Sequence, residues 1–450
     1  MSAEELTMTE GYPVAKRMSA QFEGTFAYVT LKDRMPKIIT QVIDTVNREE
    51  ATVQKQHGEA GTEDVKGVLS RLSQLRYELL TNKEMTGVEE GCDVEQWRGV
   101  FSRYKETLQG QEPLWFTVSW LFAECYMYRK IIEAFQKSSL MKDFDPFQSR
   151  KEASFHNSLQ QITEQASRVL RLTSEPHLEQ ASEQSLRVDF EHLVLLCLWG
   201  NKMDLSMVAT MDNYDSSVNA DTAQQGRTNL LADHTPALWD LLQLIRQPKI
   251  KGQPRRVDFV VDNAGFEIFT DLCFADWLLS VGLADVVHFH CKQLPWFVSD
   301  VMIKDFHWTL DTLTASTHEA CSALGHKWRG RVEEGSFIVL DHSFWTTSYE
   351  YAAMATIAPD LYNNLSKSDL VFFKGDLNYR KLLADRNWLY TQDFSTALGG
   401  FQPTNLCALR TLKADLVTGL GAGVAANAAK QSKDWMTTGQ YAVLQVAQTQ

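Results

Sequence analysis

Hydrophobic positions along the chain follow two rhythms, and the change between them falls near residue 250. In the first half they recur every three or four residues: Val65, Val68, Leu69, Leu72, Leu75 and Leu79 form one stripe, as on a helix packed by a single face. Ile162, Ala166, Val169 and Leu170 form another, and residues 190–199 continue in the same mode. Residues 112–136 are apolar and aromatic almost all round, which predicts a helix buried on every side. Residues 213–233 are rich in Asn, Asp, Ser, Thr, Gln and Gly and predict an exposed loop, after which Pro236 opens a helix carrying Leu238, Trp239, Leu242 and Ile245.

Lys249-Ile-Lys-Gly-Gln-Pro-Arg-Arg256 punctuates the chain with Gly, Pro and charge, and the pattern then changes. Short apolar runs at 259–261, 286–289, 337–340, 370–373, 406–409 and 441–446 alternate with helical stretches. Unbroken apolar runs of this length suit strands covered on both faces, and strand–helix alternation implies βαβ units with right-handed crossovers. The expected fold class is α/β: a doubly wound, mostly parallel sheet in an αβα sandwich. The expected organisation is a helical N-terminal domain over 1–248 and an α/β domain over 249–450 that carries the site. No internal repeat or low-complexity segment interrupts it.

Composition narrows the function classes. At 450 residues, 44% hydrophobic, with 12 Trp and 23 Phe, the chain can build well-packed cores. Its 57 acidic and 44 basic side chains give a net charge of -13, which argues against non-specific nucleic-acid binding; an anionic substrate would need a local cluster of cations or a metal. The seven cysteines contain no Cys-x-x-Cys and are odd in number, which points to free thiols in a reducing compartment. The first residues lack the basic and apolar regions of a signal peptide, and no apolar run approaches the roughly 20 residues of a membrane span, so a cytoplasmic protein, also compatible with the nucleus, is expected.

Candidate chemistry clusters where the strand runs end. Val257-Asp-Phe-Val-Val-Asp-Asn-Ala-Gly-Phe-Glu267 runs from a strand into a helix and leaves Asp262 and Asn263 at the carboxyl end of the strand, where open α/β sheets bind ligands. By itself Asp-Asn-Ala-Gly reads equally as a capped turn. Later runs lead to Asp300, to Lys374-Gly-Asp-Leu-Asn-Tyr-Arg380, and to Arg410-Thr-Leu-Lys413. Taken singly, Asp300 reads as a helix cap and Lys374-Gly-Asp376 as a tight turn. In a parallel sheet all four clusters share one edge. Two carboxylates and a carboxamide oxygen make a hard-oxygen site for a divalent ion, and Asp376 opening a helix with Arg380 nearby, plus Lys413, supplies phosphate-binding chemistry. Gly419-Leu-Gly-Ala-Gly423 lacks the dinucleotide-loop spacing and reads as a surface loop, while His288, His290 and His342 read as core or rim histidines.

Val-Asp-Asn-Ala-Gly-x-Glu, Pro295-Trp-Phe-Val-Ser-Asp300, Phe373-Lys-Gly-Asp-Leu-Asn-Tyr-Arg-Lys-Leu382 and Arg410-Thr-x-Lys413, in this order, resemble the damage-control phosphatase family, formerly domain of unknown function 89, in its Arg-Thr-x-Lys subgroup. Leu198-Trp-Gly-Asn-Lys-Met-Asp-Leu-Ser206 resembles it too, so the likeness spans most of the chain. The resemblance implies a metal-dependent phosphatase acting on small phosphorylated metabolites, typically hexose phosphates such as fructose 1-phosphate and fructose 6-phosphate. It places metal ligands on Asp262, Asn263 and Asp300, substrate contacts on Glu267, Asp376, Leu377, Asn378, Tyr379, Arg380 and Lys413, and Mn²⁺, Co²⁺ or Ni²⁺, with Mg²⁺ as an alternative, in the site. Asn201 and Asp204 are expected to close the pocket from the helical side. Ser348, where proline is expected, and Cys291 depart from the family pattern beside the site without removing a ligand.

The expected reaction is phosphate-monoester hydrolysis, with Arg380 and Lys413 neutralising charge and either water or the Asp262 carboxylate attacking. One rival is an S-adenosylmethionine-dependent methyltransferase esterifying acidic side chains of proteins, with Glu267 binding the cofactor; the other is a non-catalytic sugar-phosphate-binding protein. The reduced Gly-rich turn, Ala264-Gly265, and the hard-oxygen ligands favour the phosphatase.

Overall fold

The computed structural model describes residues 15–200, 227–247 and 253–449, together with the backbone of a two-residue strand pair, Met8–Thr9 with Tyr12–Pro13. The helical stripe that includes Val65 and Leu79 lies on α1 (Met35–Leu80), which bends at Gly58, where φ is +63°. Val65, Val68, Leu72, Leu75 and Leu79 are buried on it, as their spacing requires. The wholly apolar helix is α2 (Trp120–Gln136); it starts eight residues later than the hydrophobic run because Ser119 caps it, accepting the Phe122 N–H through its hydroxyl. α3 (Glu183–Trp199) follows.

Seven strands form one sheet: β1 (Leu230–Asp233), β2 (Arg256–Val260), β3 (Val286–Cys291), β4 (Phe337–Asp341), β5 (Leu370–Lys374), β6 (Leu406–Thr411) and β7 (Ala442–Ala447), in the order β1-β7-β6-β5-β2-β3-β4. All neighbours are parallel except β6 and β7. β1 corrects the sequence reading, which placed 213–233 in an exposed loop. Its Leu230-Leu-Ala-Asp is too short to carry a strand pattern, and pairing with β7 supplies its backbone hydrogen bonds. Residues 213–226 of that stretch lie outside the described residues.

The helices α4 (Phe266–Ser280), α5 (Ile303–Thr314), α6 (Glu319–Glu333) and α7 (Gly375–Leu382) connect the strands. Alternation along each strand divides the core in two. On β5, Val371 and Phe373 join α1 and α2 residues on one face of the sheet, while Leu370 and Phe372 join α3, α4, α5 and α6 residues on the other. Both hydrophobic clusters draw on residues before and after position 248. The sheet is thus covered on both sides, which explains why its strands read as unbroken apolar runs. From β2 the chain passes outward through β3 and β4, then returns to the other side of β2 as β5. That reversal opens a crevice beyond the carboxyl ends of β2 and β5, where ligands bind in sheets of this kind. Among the described residues no helix is long and apolar enough to cross a membrane.

Candidate active site

Backbone pairing beyond the sheet assembles the acidic cluster. The Ala264 N–H donates to the Ser299 carbonyl at 2.8 Å and the Val301 N–H to the Asp262 carbonyl at 2.9 Å, forming a short antiparallel bridge in which Asn263 faces Asp300. Residues 37 apart in sequence are thereby fixed side by side. Asp300 sits in this bridge, whereas the cap of the next helix is completed by Asp305. The loop reaches its position through two consecutive residues in the left-handed region, Phe297 (φ +42°) and Val298 (φ +71°), a conformation that costs energy for a β-branched side chain. From the other side comes Gly375 (φ +83°): a Cβ there would lie 1.9 Å from Asp262 Oδ2, so only glycine lets β5 turn into α7 beside this carboxylate.

Asn263 Nδ2 donates to Asp262 Oδ2 at 2.6 Å and to Glu267 Oε2 at 2.8 Å, while its Oδ1 accepts from the Ser299 hydroxyl. Asp262 is held well above the usual carboxylate range, chiefly by burial and then by the like charges of Glu267 and Asp300; Lys292 and Lys413 offset this in part. Burial raises Asp300 as well, against the pull of Lys292. Lys292 is itself buried, donates to the Val261 carbonyl at 2.9 Å, and lies 3.4 Å from Asp300 Oδ2, an oxygen that accepts no hydrogen bond. Two buried carboxylates, both raised and one with an oxygen that has an ion pair but no hydrogen bond, are short of positive charge. Oxygen donors of this kind suit a hard divalent cation. Among the described residues no three His, Cys, Asp or Glu side chains group to hold a metal; the oxygens gathered here are those of the Asp262 and Asp300 carboxylates and the Asn263 carboxamide.

The expected substrate loop divides in two. Asp376, Leu377 and Arg380 line the cavity. Asn378 and Tyr379 turn into the protein: Asn378 Nδ2 donates to the carbonyls of Lys374 (2.7 Å) and Val260 (3.2 Å), and the Tyr379 hydroxyl donates to Gln445 Oε1 at 2.7 Å. Helical geometry makes the division, since positions two apart face different sides. Arg380 is already engaged. Its guanidinium pairs with Glu124 at 2.6 Å and with Asp385 at 2.9 Å and lies over the Trp120 ring at 3.6 Å. Arg410, of the Arg-Thr-x-Lys segment, is fully buried; its Nε donates to Asp376 Oδ1 at 2.8 Å, and that oxygen also accepts the Lys413 N–H at 3.2 Å. Lys413 is half-buried at the cavity and, among the described residues, has no carboxylate within ion-pair distance. Glu267 lines the cavity but is tied to Asn263 and, at 3.2 Å, to Lys374.

The cavity, about 300 Å³, is closed on its far side by the helical half. Thr30, Arg34, Ile38, Trp120, Glu124 and Tyr128 line it there. None of these was singled out from sequence, because each sits within a helical pattern that reads as ordinary core or surface. The one available signal was the density of aromatic and charged residues along α2. Asn201 and Asp204, expected on this side, lie outside the described residues. Two of the three strand histidines are engaged within the protein: His290 Nε2 meets Asp258 at 2.8 Å, and His342 Nδ1 accepts the Phe344 N–H, while His288 Nδ1 is buried without a hydrogen bond.

Residues 30–427 match the family model described as "Damage-control phosphatase ARMT1-like domain". The chain is 43% identical over 439 residues to a Danio rerio protein named damage-control phosphatase ARMT1, covering 97% of this chain and 98% of that protein. It is 42% identical to the Xenopus laevis protein of the same name (96% and 98% covered) and 39% identical to the Homo sapiens one (96% and 98%). With a family model spanning most of its length, and relatives aligned from end to end at this identity, the chain belongs to the ARMT1-like damage-control phosphatase family.

Proposed function

We propose that this protein hydrolyses phosphate monoesters of small metabolites, with hexose phosphates such as fructose 1-phosphate and fructose 6-phosphate as the substrate class. The observation that carries the reading is the placement of buried Asp262 and Asp300, both short of positive charge, in one cavity with Lys413, which meets no carboxylate among the described residues. The name of the relatives agrees with the reaction class. Asp262, Asn263 and Asp300 would hold a divalent cation, Mn²⁺, Co²⁺ or Ni²⁺ with Mg²⁺ as an alternative; when bound, it would supply Lewis-acid polarisation of the phosphoryl group.

The remaining work falls to the chain. Lys413 sets its ammonium against the phosphoryl charge, which is worth most in a cavity of low dielectric. Arg410 fixes Asp376, and Asp376 fixes the backbone of Lys413, so the cation is held in place before substrate arrives. Asp376 Oδ2 remains available as an acceptor at the cavity, since both of these bonds fall on Oδ1. Arg380, paired twice, acts on the site by locking α2 against α7: Asp385 Oδ2 also accepts the Leu121 N–H at the start of α2, at 2.8 Å. Trp120, Leu198, Phe297 and Leu409 wall the cavity against bulk water. Attack on phosphorus comes from water or from the Asp262 carboxylate.

The test is phosphate release by metal-stripped protein with each cation restored, over sugar phosphates and nucleotides, beside Asp262→Ala. Release that depends on the cation and disappears in the variant is the expected result; an Asp262→Ala protein with near-normal turnover would sink the assignment. Acid quenching during turnover, followed by a search for phosphate bound covalently to Asp262, separates the two nucleophiles.

A further inference from the structure

Behind Asp262 and Asn263 lies a second layer of buried charge that takes no direct part in the hydrolysis proposed above. Its hub is Lys374, the last residue of β5, which is 1% exposed. The Lys374 ammonium donates to the Cys197 carbonyl near the end of α3 at 2.7 Å and to Asp271 Oδ1 at 2.6 Å, and it lies 3.2 Å from Glu267 Oε1. Glu267 and Asp271 both belong to α4, one turn apart, so a single helix face presents two carboxylates to the same cation. The Cys197 thiol also donates to Asp271 Oδ1, at 2.8 Å. Burial disfavours the charge on Lys374, but the neighbouring negative groups, Asp271 first among them, reverse this and hold the ammonium well above its ordinary range.

This layer reaches the cation site through one amide. Asn263 Nδ2 carries two N–H groups and commits both to carboxylates, Asp262 Oδ2 at 2.6 Å and Glu267 Oε2 at 2.8 Å. Its carbonyl oxygen accepts from the Ser299 hydroxyl and keeps a second lone pair. A carboxamide turned the other way would present N–H groups, which repel a cation. Glu267 is therefore the group that sets which end of Asn263 is offered. Both of its oxygens are engaged within the protein, Oε2 by Asn263 and Oε1 by Lys374.

We infer that Lys374, backed by Asp271, is a positioning residue that acts through Glu267 to hold the Asn263 carboxamide with its oxygen towards the divalent cation. The inference rests on the cation site of the phosphatase reading and gives Glu267 a part in building that site. Residues that orient metal ligands from behind influence metal affinity as well as rate.

The experiment titrates Mn²⁺ by calorimetry into metal-stripped wild type, Glu267→Ala, Glu267→Gln and the double variant Lys374→Met/Asp271→Leu. Thermal melts verify folding, and kinetics on fructose 1-phosphate are measured at saturating Mn²⁺. The double variant removes one positive and one negative charge together, so the net charge around the cation is unchanged and no buried ion is left alone. Kd for Mn²⁺ should rise by about tenfold or more in Glu267→Ala and in the double variant, with kcat reduced and KM within about twofold of wild type. Glu267→Gln, which lacks the charge but keeps an acceptor oxygen for Asn263, should recover part of the affinity. Should the double variant fail to fold, the two Glu267 variants decide. An unchanged Kd in Glu267→Ala overturns the inference, as does Glu267→Gln binding Mn²⁺ as weakly as Glu267→Ala, which would leave charge alone at work. A raised KM with unchanged Mn²⁺ affinity also overturns it, by making Glu267 a substrate contact. A wild type that binds Mn²⁺ but cleaves no ester overturns the phosphatase reading, while the calorimetry still decides the role of Lys374; a wild type that binds no cation overturns the inference itself.

Discussion

The two walls of the cavity are built on opposite plans. On the sheet side, polar atoms are bound to one another: Asn263 bridges Asp262 and Glu267, Arg410 holds Asp376, and what remains uncompensated is negative charge at Asp262 and Asp300. On the helical side, Thr30 and Trp120 line the cavity with their polar atoms withdrawn from its surface, and Arg34 stands exposed at the rim. A densely cross-linked wall holds reacting groups still, which suits catalysis. A wall of packed side chains with its polar atoms withdrawn shapes the cavity and limits the water in it. The same contrast separates the cations: Arg380 is spent on two carboxylates, and Lys413 is not.

The sharpest way to break this contrast is at Gly375. Replacing it with Ala forces a Cβ against Asp262 at a positive φ, and should lower kcat by roughly 100-fold or more while costing about 2–3 kcal/mol of stability, read by steady-state kinetics and by chemical denaturation. Next comes the pair of cations. Arg380→Ala leaves Glu124 and Asp385 buried without their partner and should cost about 3–5 kcal/mol, whereas Lys413→Ala should leave stability within roughly 0.5 kcal/mol and reduce kcat/KM by about 100-fold. Melts and kinetics on both proteins decide this; if the two phenotypes are exchanged, the assignment of a structural and a substrate-facing cation is reversed.

A smaller effect concerns pH. In chelator-treated protein, Asp262 and Asp300 hold protons at pH values where the unfolded chain has lost them, because their folded-state affinities are raised. The folded state then binds more protons than the unfolded one, and stability falls as pH rises between the unfolded carboxylate range, about 4, and the raised folded values. The Tm of metal-stripped protein should therefore rise by about 1–3 °C as pH is lowered from 7.5 towards 6, and Asp300→Asn should remove most of that gain. The smallest effect is expected at Tyr379→Phe, which loses the bond to Gln445, costs about 1 kcal/mol, and leaves KM within about twofold because the ring faces away from the cavity.

How much of this was legible in the sequence follows the same division. The sheet wall is local: strand, turn and helix start occur within a few residues, so Asp262, Asn263, Asp376 and Lys413 could be placed at strand ends from hydrophobic runs alone. Within 376–380 the motif could not distinguish residues at the cavity, Asp376, Leu377 and Arg380, from Asn378 and Tyr379, which bond to Val260, Lys374 and Gln445 far away in sequence. Nor could it reveal that Arg380 meets Glu124, 256 positions earlier. β1 was missed because an edge strand of four residues owes its existence to its neighbour β7.

The sequence by itself therefore determined the class of fold and the chemical inventory of one sheet edge, because periodicity and strand-end motifs are written in neighbouring residues. The tertiary structure decided which charges are spent within the protein and which face the cavity. That depends on pairs such as Arg380–Asp385–Leu121 and Arg410–Asp376 and on the packing of Thr30 and Trp120 over the crevice, contacts between segments brought together only when both faces of the sheet are covered.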